Sequence, residues 1–348
     1  MSRKISRVGV IGCGYVAQNG HIPALLTCKN TSLVALCDKN EELARNVARR
    51  FRIESYYSDV TEMLDKEKLD VVDICASINT HASLAIQAME AGCHVLTEKP
   101  MALNTKEADE MVEVSKRRQV KLSVIHQLLF VPTVVRMKAL VDKGIIGDLV
   151  RVEIVQSTPP WDYPAIADPD HWYHKLPGGI HGDNLPHPIY LARNFLGNTE
   201  PIAVYPTKMG SLDHLSSDEV QIILKGERGN GTIISSCNYP SLWLIDIFGT
   251  KKNLHGNLNN SYVIVYGGKS RAGRGIASLY ARENLGRSFQ ILGNTLSMGV
   301  KLILGKHRGL PIAISKFMEC IQNDTEPPIT AEDGREVVRI LEKITAQL

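Results

Sequence analysis

Apolar residues follow two different rhythms along this chain, and the rhythm changes near residue 126. In the first stretch, short β-rich runs alternate with segments whose apolar residues recur at helical spacing. The runs Arg7 to Ile11, Leu33 to Cys37, Val71 to Cys75, Val95 to Thr97 and Leu122 to Ile125 predict strands, with a weaker one near Ser55. Segments Glu41 to Arg50, His81 to Ala91 and Lys106 to Arg118 predict the helices between them. Gly92 stands where a helix C-terminus needs a left-handed residue, and Asn104-Thr105 offers capping side chains before the third helix. Such alternation predicts right-handed βαβ units and a parallel sheet covered on both faces.

After His126 the texture differs. Pro132 followed by Thr133 to Lys143 predicts a helix that Gly144 ends, which places a domain boundary there. Longer β-rich runs then follow at Arg151 to Gln156, Ile202 to Lys208, Val220 to Leu224, Thr232 to Cys237, Leu242 to Phe248 and Tyr262 to Tyr266, with a hairpin signal at Glu227-Arg228-Gly229-Asn230-Gly231. Thr330 caps a final amphipathic segment, Arg335 to Gln347. The predicted class is α/β: a dinucleotide-binding domain over residues 1–126, and over 127–348 a second α/β domain with a large open, mostly antiparallel sheet that binds substrate and makes a homo-oligomer, a dimer or tetramer. Residues 266–310 read as a basic amphipathic insertion, with eight Lys and Arg against Glu283 alone. An oligomer contact is the plain reading of that insertion. The diphosphate of a nucleotide sugar and an anionic membrane surface are the alternatives.

Composition narrows the function little. The 348 residues are 44% hydrophobic and 22% charged with a net charge of +3, so nothing global calls for nucleic acid. The seven cysteines are odd in number, scattered and mostly in apolar runs, which predicts reduced core thiols in a cytoplasmic protein. No apolar run reaches the roughly 18 residues of a membrane span, and no signal peptide is expected.

Candidate chemistry gathers at strand ends. Gly12, Gly14 and Ala17 fit the G-x-G-x-x-G/A turn: Gly12 permits the bend, Gly14 lets the backbone approach a pyrophosphate, and Tyr15 and Val16 open the helix beside it. Asp38 ends the next strand, where a carboxylate accepts from the ribose hydroxyls, and so predicts NAD, with NADP as the alternative because Lys39 is adjacent. Ser77, Asn79 and His81 follow the fourth strand and could line the nicotinamide ribose; the alternative is that Asn79 or Thr80 caps the next helix. Glu98-Lys99-Pro100 ends the fifth; a partly desolvated Lys99 can exchange a proton with a hydroxyl being oxidised, while Glu98 could simply pair with it. Later, Asp183 and His187 lie four apart, so on a helix a carboxylate can orient an imidazole. His171, His174, His181 and His187 do not match a closed zinc set, and no metal is expected.

Jointly these motifs resemble the Gfo/Idh/MocA oxidoreductases, the glucose-fructose oxidoreductase and inositol dehydrogenase group. The resemblance adds His21-Ile22-Pro23-Ala24-Leu25 and Pro328 to Gly334, and spans nearly the whole chain. It implies NAD(P), a sugar, polyol or related substrate, and catalysis by Lys99, Asp183 and His187, with either Lys99 or His187 as the acid/base. Many members carry D-x-x-x-H-x-x-D, whereas Tyr190 takes the last position here. The run containing Trp172 and His174 also departs from the commonest members. It lies where substrate is held, which makes these two substrate-binding candidates beside Lys99, Asp183 and His187.

Overall fold

Strands β1 Ser6–Ile11, β2 Thr31–Cys37, β3 Ser55–Tyr57, β4 Val71–Ile74, β5 His94–Thr97 and β6 Leu122–Val124 form one six-stranded sheet in the order β3-β2-β1-β4-β5-β6, with every pair parallel. The order reverses between β1 and β4, the switch point outside which doubly wound sheets bind ligands. All four residues of β4 are buried, as expected where helices cover both faces. Those helices are α1 Ile22–Thr27, preceded by a π-helical turn Ala17–His21, then α2 Glu41–Phe51, α3 Val60–Glu67, α4 His81–Glu90 and α5 Thr105–Arg118. Asn40, Asp59 and Asn104 each accept the third following N–H as N-caps, worth about 1 kcal/mol apiece. The sequence pattern missed α3 because Met63 is its one buried residue, so it carries no apolar stripe.

The computed structural model describes residues 5–267, 276–303 and 308–348. The chain divides into two compact units, Met1–Gln127 with Gly309–Glu342, and Leu128–Arg308 with Lys343–Leu348. In the second, α6 Pro132–Asp142 leads into β7 Leu149–Ser157; α7 Ile180–Asn184 and α8 Pro186–Leu196 follow. Then come β8 Thr199–Thr207, β9 Glu219–Gly226, β10 Asn230–Ser236, β11 Leu242–Gly249, β12 Asn253–Asn257, β13 Tyr262–Tyr266 and α9 Ile276–Ile303. Seven strands form the order β13-β12-β11-β7-β10-β9-β8, antiparallel throughout except for β7 with β10. The predicted hairpin at 227–231 does join β9 to β10. The sequence pattern overlooked β12 because it is polar and carries Gly256, where a Cβ would stand 2.3 Å from the Met137 sulfur.

The chain closes with α10 Gly309–Asn323 and α11 Ala331–Thr345. A single cut at residue 126 assigned this segment to the second domain, yet Gly309–Glu342 belongs to the first unit. There α10 packs on α1, a Cβ on Gly20 would meet Leu310, and Ser123 Oγ donates to the Ile329 carbonyl at 2.7 Å. Such contacts span two hundred residues or more and leave no local periodicity to read. Of the predicted basic insertion, Lys269, Arg271, Arg274 and Lys306 lie outside the described residues.

Candidate functional site

The glycine turn closes the carboxyl end of β1. Gly12 has φ +92, and a Cβ there would come within 2.6 Å of the Cys75 and Ala76 backbone beyond β4, so the turn lies against the neighbouring strand's loop at the switch point. Gly14 faces open space, where a Cβ would meet no atom within 4 Å. Tyr15 is 81% exposed and Val16 is exposed beside it. Asp38 is shaped by the same turn: its Oδ2 accepts from the Cys13 N–H at 2.8 Å and its Oδ1 from the Asn40 N–H at 2.9 Å. Each carboxylate oxygen keeps lone-pair capacity beyond those bonds. A bend that only glycine permits, open space over Gly14 and a fixed carboxylate at the second strand's end together fit a dinucleotide.

The loops after β4 and β5 stand beside it. Ser77 and Asn79 are exposed. His81 is buried, with Nδ1 2.9 Å from the Pro100 carbonyl and Nε2 3.0 Å from that of Ala76, and burial lowers its pKa. It therefore ties the two loops together from behind, a correction to its expected place against the ribose. Glu98 is also turned inward. Its Oε2 accepts from the Lys99 N–H at 3.0 Å, and its Oε1 lies 2.9 Å from His21 Nε2. The other His21 nitrogen lies 2.8 Å from Asp73 Oδ2.

This buried cluster was not foreseen. Burial alone would lower the His21 pKa, but the Asp73 carboxylate holds it well above the usual imidazole value. Burial alone would raise Glu98, but its bond to His21 brings it down to about 2. An imidazolium thus sits between two carboxylates, one of which, Glu98, also holds the Lys99 N–H. The visible signal was Asp73, a charge inside the otherwise apolar strand Val71 to Ile74. His21, Asp73 and Cys75 also bring three ligand-type atoms within 4.8 Å of one another. Both His21 nitrogens are already taken up by carboxylates, which accounts for the cluster as an ion network. The four histidines between 171 and 187 form no such group among the described residues.

In the second unit, Asp183 lies in the short α7, one residue before its end, and His187 stands in the first turn of α8. Leu185 between them keeps helical angles, and its N–H donates to the His181 carbonyl at 3.0 Å. Pro186 and Pro188 therefore fall where a helix start leaves N–H groups unused, and both are buried. The expected irregularity at His187 is this junction of two helices. His187 Nδ1 lies 2.8 Å from the Tyr190 hydroxyl, one turn along α8, and Trp243 meets the ring edge-on at 6.0 Å. Tyr190 is buried, and its oxygen also accepts from the Leu128 N–H at 3.2 Å. Trp172 is exposed, whereas His174 packs edge-on to His214 at 4.9 Å with its Nε2 buried and without a hydrogen-bond partner. The hydroxyl of buried Tyr173 likewise lacks one; burial first, then Tyr163 and Asp183, raise its pKa. Sequence reasoning overlooked Tyr173 and His214, which carry no motif.

Seven cysteines are free, five of them buried, and burial pushes Cys75 up to about 12. Among the described residues no helix is long and apolar enough to cross a membrane.

Residues 6–126 match the model of the oxidoreductase family with the NAD-binding Rossmann fold, and residues 134–255 that of the GFO/IDH/MocA C-terminal domain. The chain is 26% identical over 330 residues to a myo-inositol 2-dehydrogenase of Thermotoga maritima, covering 94% of this chain and 92% of that one. It is 29% identical over 228 residues to Oxidoreductase P35 of Formosa agariphila, covering 64% and 71%. The WlbA dehydrogenase from Bordetella pertussis, solved with NADH and UDP-GlcNAcA, shares the fold at a TM-score of 0.76 and 21% identity, over 99% of this chain and 96% of that one. The parallel sheet with its glycine turn and the antiparallel sheet after it thus have their counterparts in one group of proteins, and the chain belongs to the Gfo/Idh/MocA oxidoreductase family, with an NAD-binding Rossmann domain at its start.

Proposed function

We propose that the protein is an NAD-dependent dehydrogenase acting on a CH–OH group of a sugar, polyol or nucleotide sugar. The observation that carries this reading is the carboxyl edge of the parallel sheet: Gly12 bent against the β4 loop, open space over Gly14, the Asp38 carboxylate, and Lys99 at the end of β5. The relative from Thermotoga maritima, named for inositol oxidation, supports a polyhydroxylated substrate. NAD supplies the hydride acceptor in oxidation and the donor in reduction.

The chain's own residues supply the rest. The Gly12 to Val16 turn would hold the pyrophosphate and Asp38 the ribose, with exposed Ser77 and Asn79 available to the nicotinamide end. Glu98 acts from below by fixing the Lys99 backbone. Lys99 donates to the substrate oxygen and stabilises its developing negative charge. His187 takes the hydroxyl proton, its ring positioned by the contact of Nδ1 with the Tyr190 hydroxyl. Asp183 orients the substrate through a neighbouring hydroxyl, and Trp172 and His174 line the remainder.

Turnover of inositols, aldoses, uronic acids and nucleotide sugars with NAD, followed by single-turnover rates of Lys99→Ala and His187→Ala, tests the proposal. Each variant should slow the chemical step by roughly two to four orders of magnitude while NAD still binds. Near-normal single-turnover rates in either would overturn the assignment.

A further inference from the structure

Helix α9 is built inside out. Toward its own sheet it presents polar groups: Gln290 accepts from the Val265 N–H at 2.9 Å and donates to the Val265 carbonyl at 3.1 Å, and Asn294 Nδ2 donates to the Val263 carbonyl at 3.0 Å. Arg287 lies over the Tyr266 ring, 4.8 Å from its centre, and pairs with Glu283 at 2.7 Å. These side chains satisfy the outward edge of β13, the last strand in the sheet order, which would otherwise be open. Opposite them on the helix, Leu285, Phe289, Leu292, Leu296 and Val300 recur at intervals of three and four, each between 56% and 70% exposed. At about 1.5 Å per residue the stripe runs for roughly 22 Å. An ordinary surface helix shows the reverse arrangement, apolar within and polar without.

Charge identifies what covers the stripe. Residues 266–310 hold eight Lys and Arg against one acid, whereas acids outnumber bases in the rest of the chain. Pairing this helix with its counterpart in a second copy would bring together two segments that each hold eight Lys and Arg against one acid. An anionic lipid surface offers the complement, attracting each nearby Lys or Arg by about 1 kcal/mol and accepting large aliphatic and aromatic side chains into the headgroup boundary. The helix itself does not meet the length and apolarity of a membrane span. Among the described residues Arg282 is exposed beside the stripe, and Tyr280 is exposed near its start.

We propose that α9 docks the protein flat on an anionic membrane surface through the Leu285 to Val300 stripe. The polar face, bonded to β13, presents the stripe outward. The inference stands independently of the catalytic assignment.

Full-length protein is sedimented with phosphatidylcholine vesicles, with and without phosphatidylglycerol, at low and high salt. Binding to phosphatidylglycerol vesicles alone, at least about tenfold weaker in high salt and in the Leu292→Ser, Leu296→Ser double variant, is expected. An unchanged thermal melt of the variant shows that it is folded, because both leucines face away from the sheet. Arg282→Glu, which leaves the apolar stripe intact, should weaken binding as well. Absence of vesicle binding overturns the proposal, as does binding indifferent to these substitutions. A dimer in solution that the leucine substitutions dissociate, without vesicle binding, assigns the face to a second copy and overturns it equally.

Discussion

His187 and Tyr190 lie one helical turn apart on α8, with Nδ1 of the imidazole 2.8 Å from a buried phenolic oxygen that is itself fixed by the Leu128 N–H. The last position of the D-x-x-x-H-x-x-D pattern is thus filled by a phenol that still reaches the imidazole. Tyr190→Phe removes that reach and leaves the ring packed. It should lower kcat by about 10- to 100-fold with KM nearly unchanged, and lower Tm by a few degrees because the Leu128 N–H loses its acceptor. Steady-state kinetics beside a thermal melt checks this; an unaltered kcat would show that Tyr190 does not position His187.

Asp38 should make NAD the better cofactor, since a carboxylate repels a 2′-phosphate. Asp38→Ala should narrow the NAD/NADP preference by roughly tenfold. It should also weaken NAD, because Cys13 and Asn40 lose the acceptor of their N–H groups. Ratios of kcat/KM for the two cofactors decide it, and a wild-type preference for NADP would refute the role given to Asp38.

Gly12→Ala combines a left-handed φ with a Cβ 2.6 Å from the Cys75 and Ala76 backbone. Backbone cannot step aside as a flexible side chain can. The variant should bind NAD at least about tenfold more weakly and melt lower. Calorimetric titration with NAD is the measurement, and wild-type affinity would mean that the turn tolerates displacement.

The His21 network predicts a pH signature. Glu98 is held near 2 rather than at the usual 4.5, so its contribution is present above about 4.5 and lost as pH falls through 2. His21 is raised, so its contribution is complete below about 6.5 and is lost only as pH climbs through its elevated value. His21→Gln leaves two carboxylates without a cation and should cost about 3 to 5 kcal/mol at neutral pH. Because protonation relieves the stranded carboxylates, the Tm gap between wild type and variant should narrow between pH 7 and pH 3. A gap constant across that range would show that charge is not what His21 contributes.

What the sequence reveals depends on how locally each feature is encoded. The Gly12 bend, the Asn104 cap and the strand ends carrying Asp38 and Lys99 are each written within a few neighbouring residues. The His21, Asp73 and Glu98 network joins three separate elements, and only the misplaced charge at Asp73 marks it. Tyr190 is visible as a departure from a motif, but its bond to His187 depends on the junction of α7 and α8. The inward turn of Glu98 follows from a histidine 77 residues upstream. Strand β12 stays hidden because a buried strand made of Asn, His and Gly draws its place from Met137 and two neighbouring strands.

Strand β7 is the first strand of its sheet in the chain and the central one in space, between β10 and β11. Those two follow each other in sequence but never touch, since β7 fills the slot between them. On a ribosome working from the N-terminus, β7 therefore emerges with both edges bare and waits for the chain to reach residue 236 before the β10-β9-β8 arm can be completed on one edge, and residue 266 before the β11-β12-β13 arm can be completed on the other. The delay is intrinsic to pairings so distant in sequence, and it exposes a β-branched segment at the stage when nascent chains most readily associate with one another. The polar Arg151, Glu153 and Gln156 that interrupt this strand counter that hazard before the fold exists to protect it.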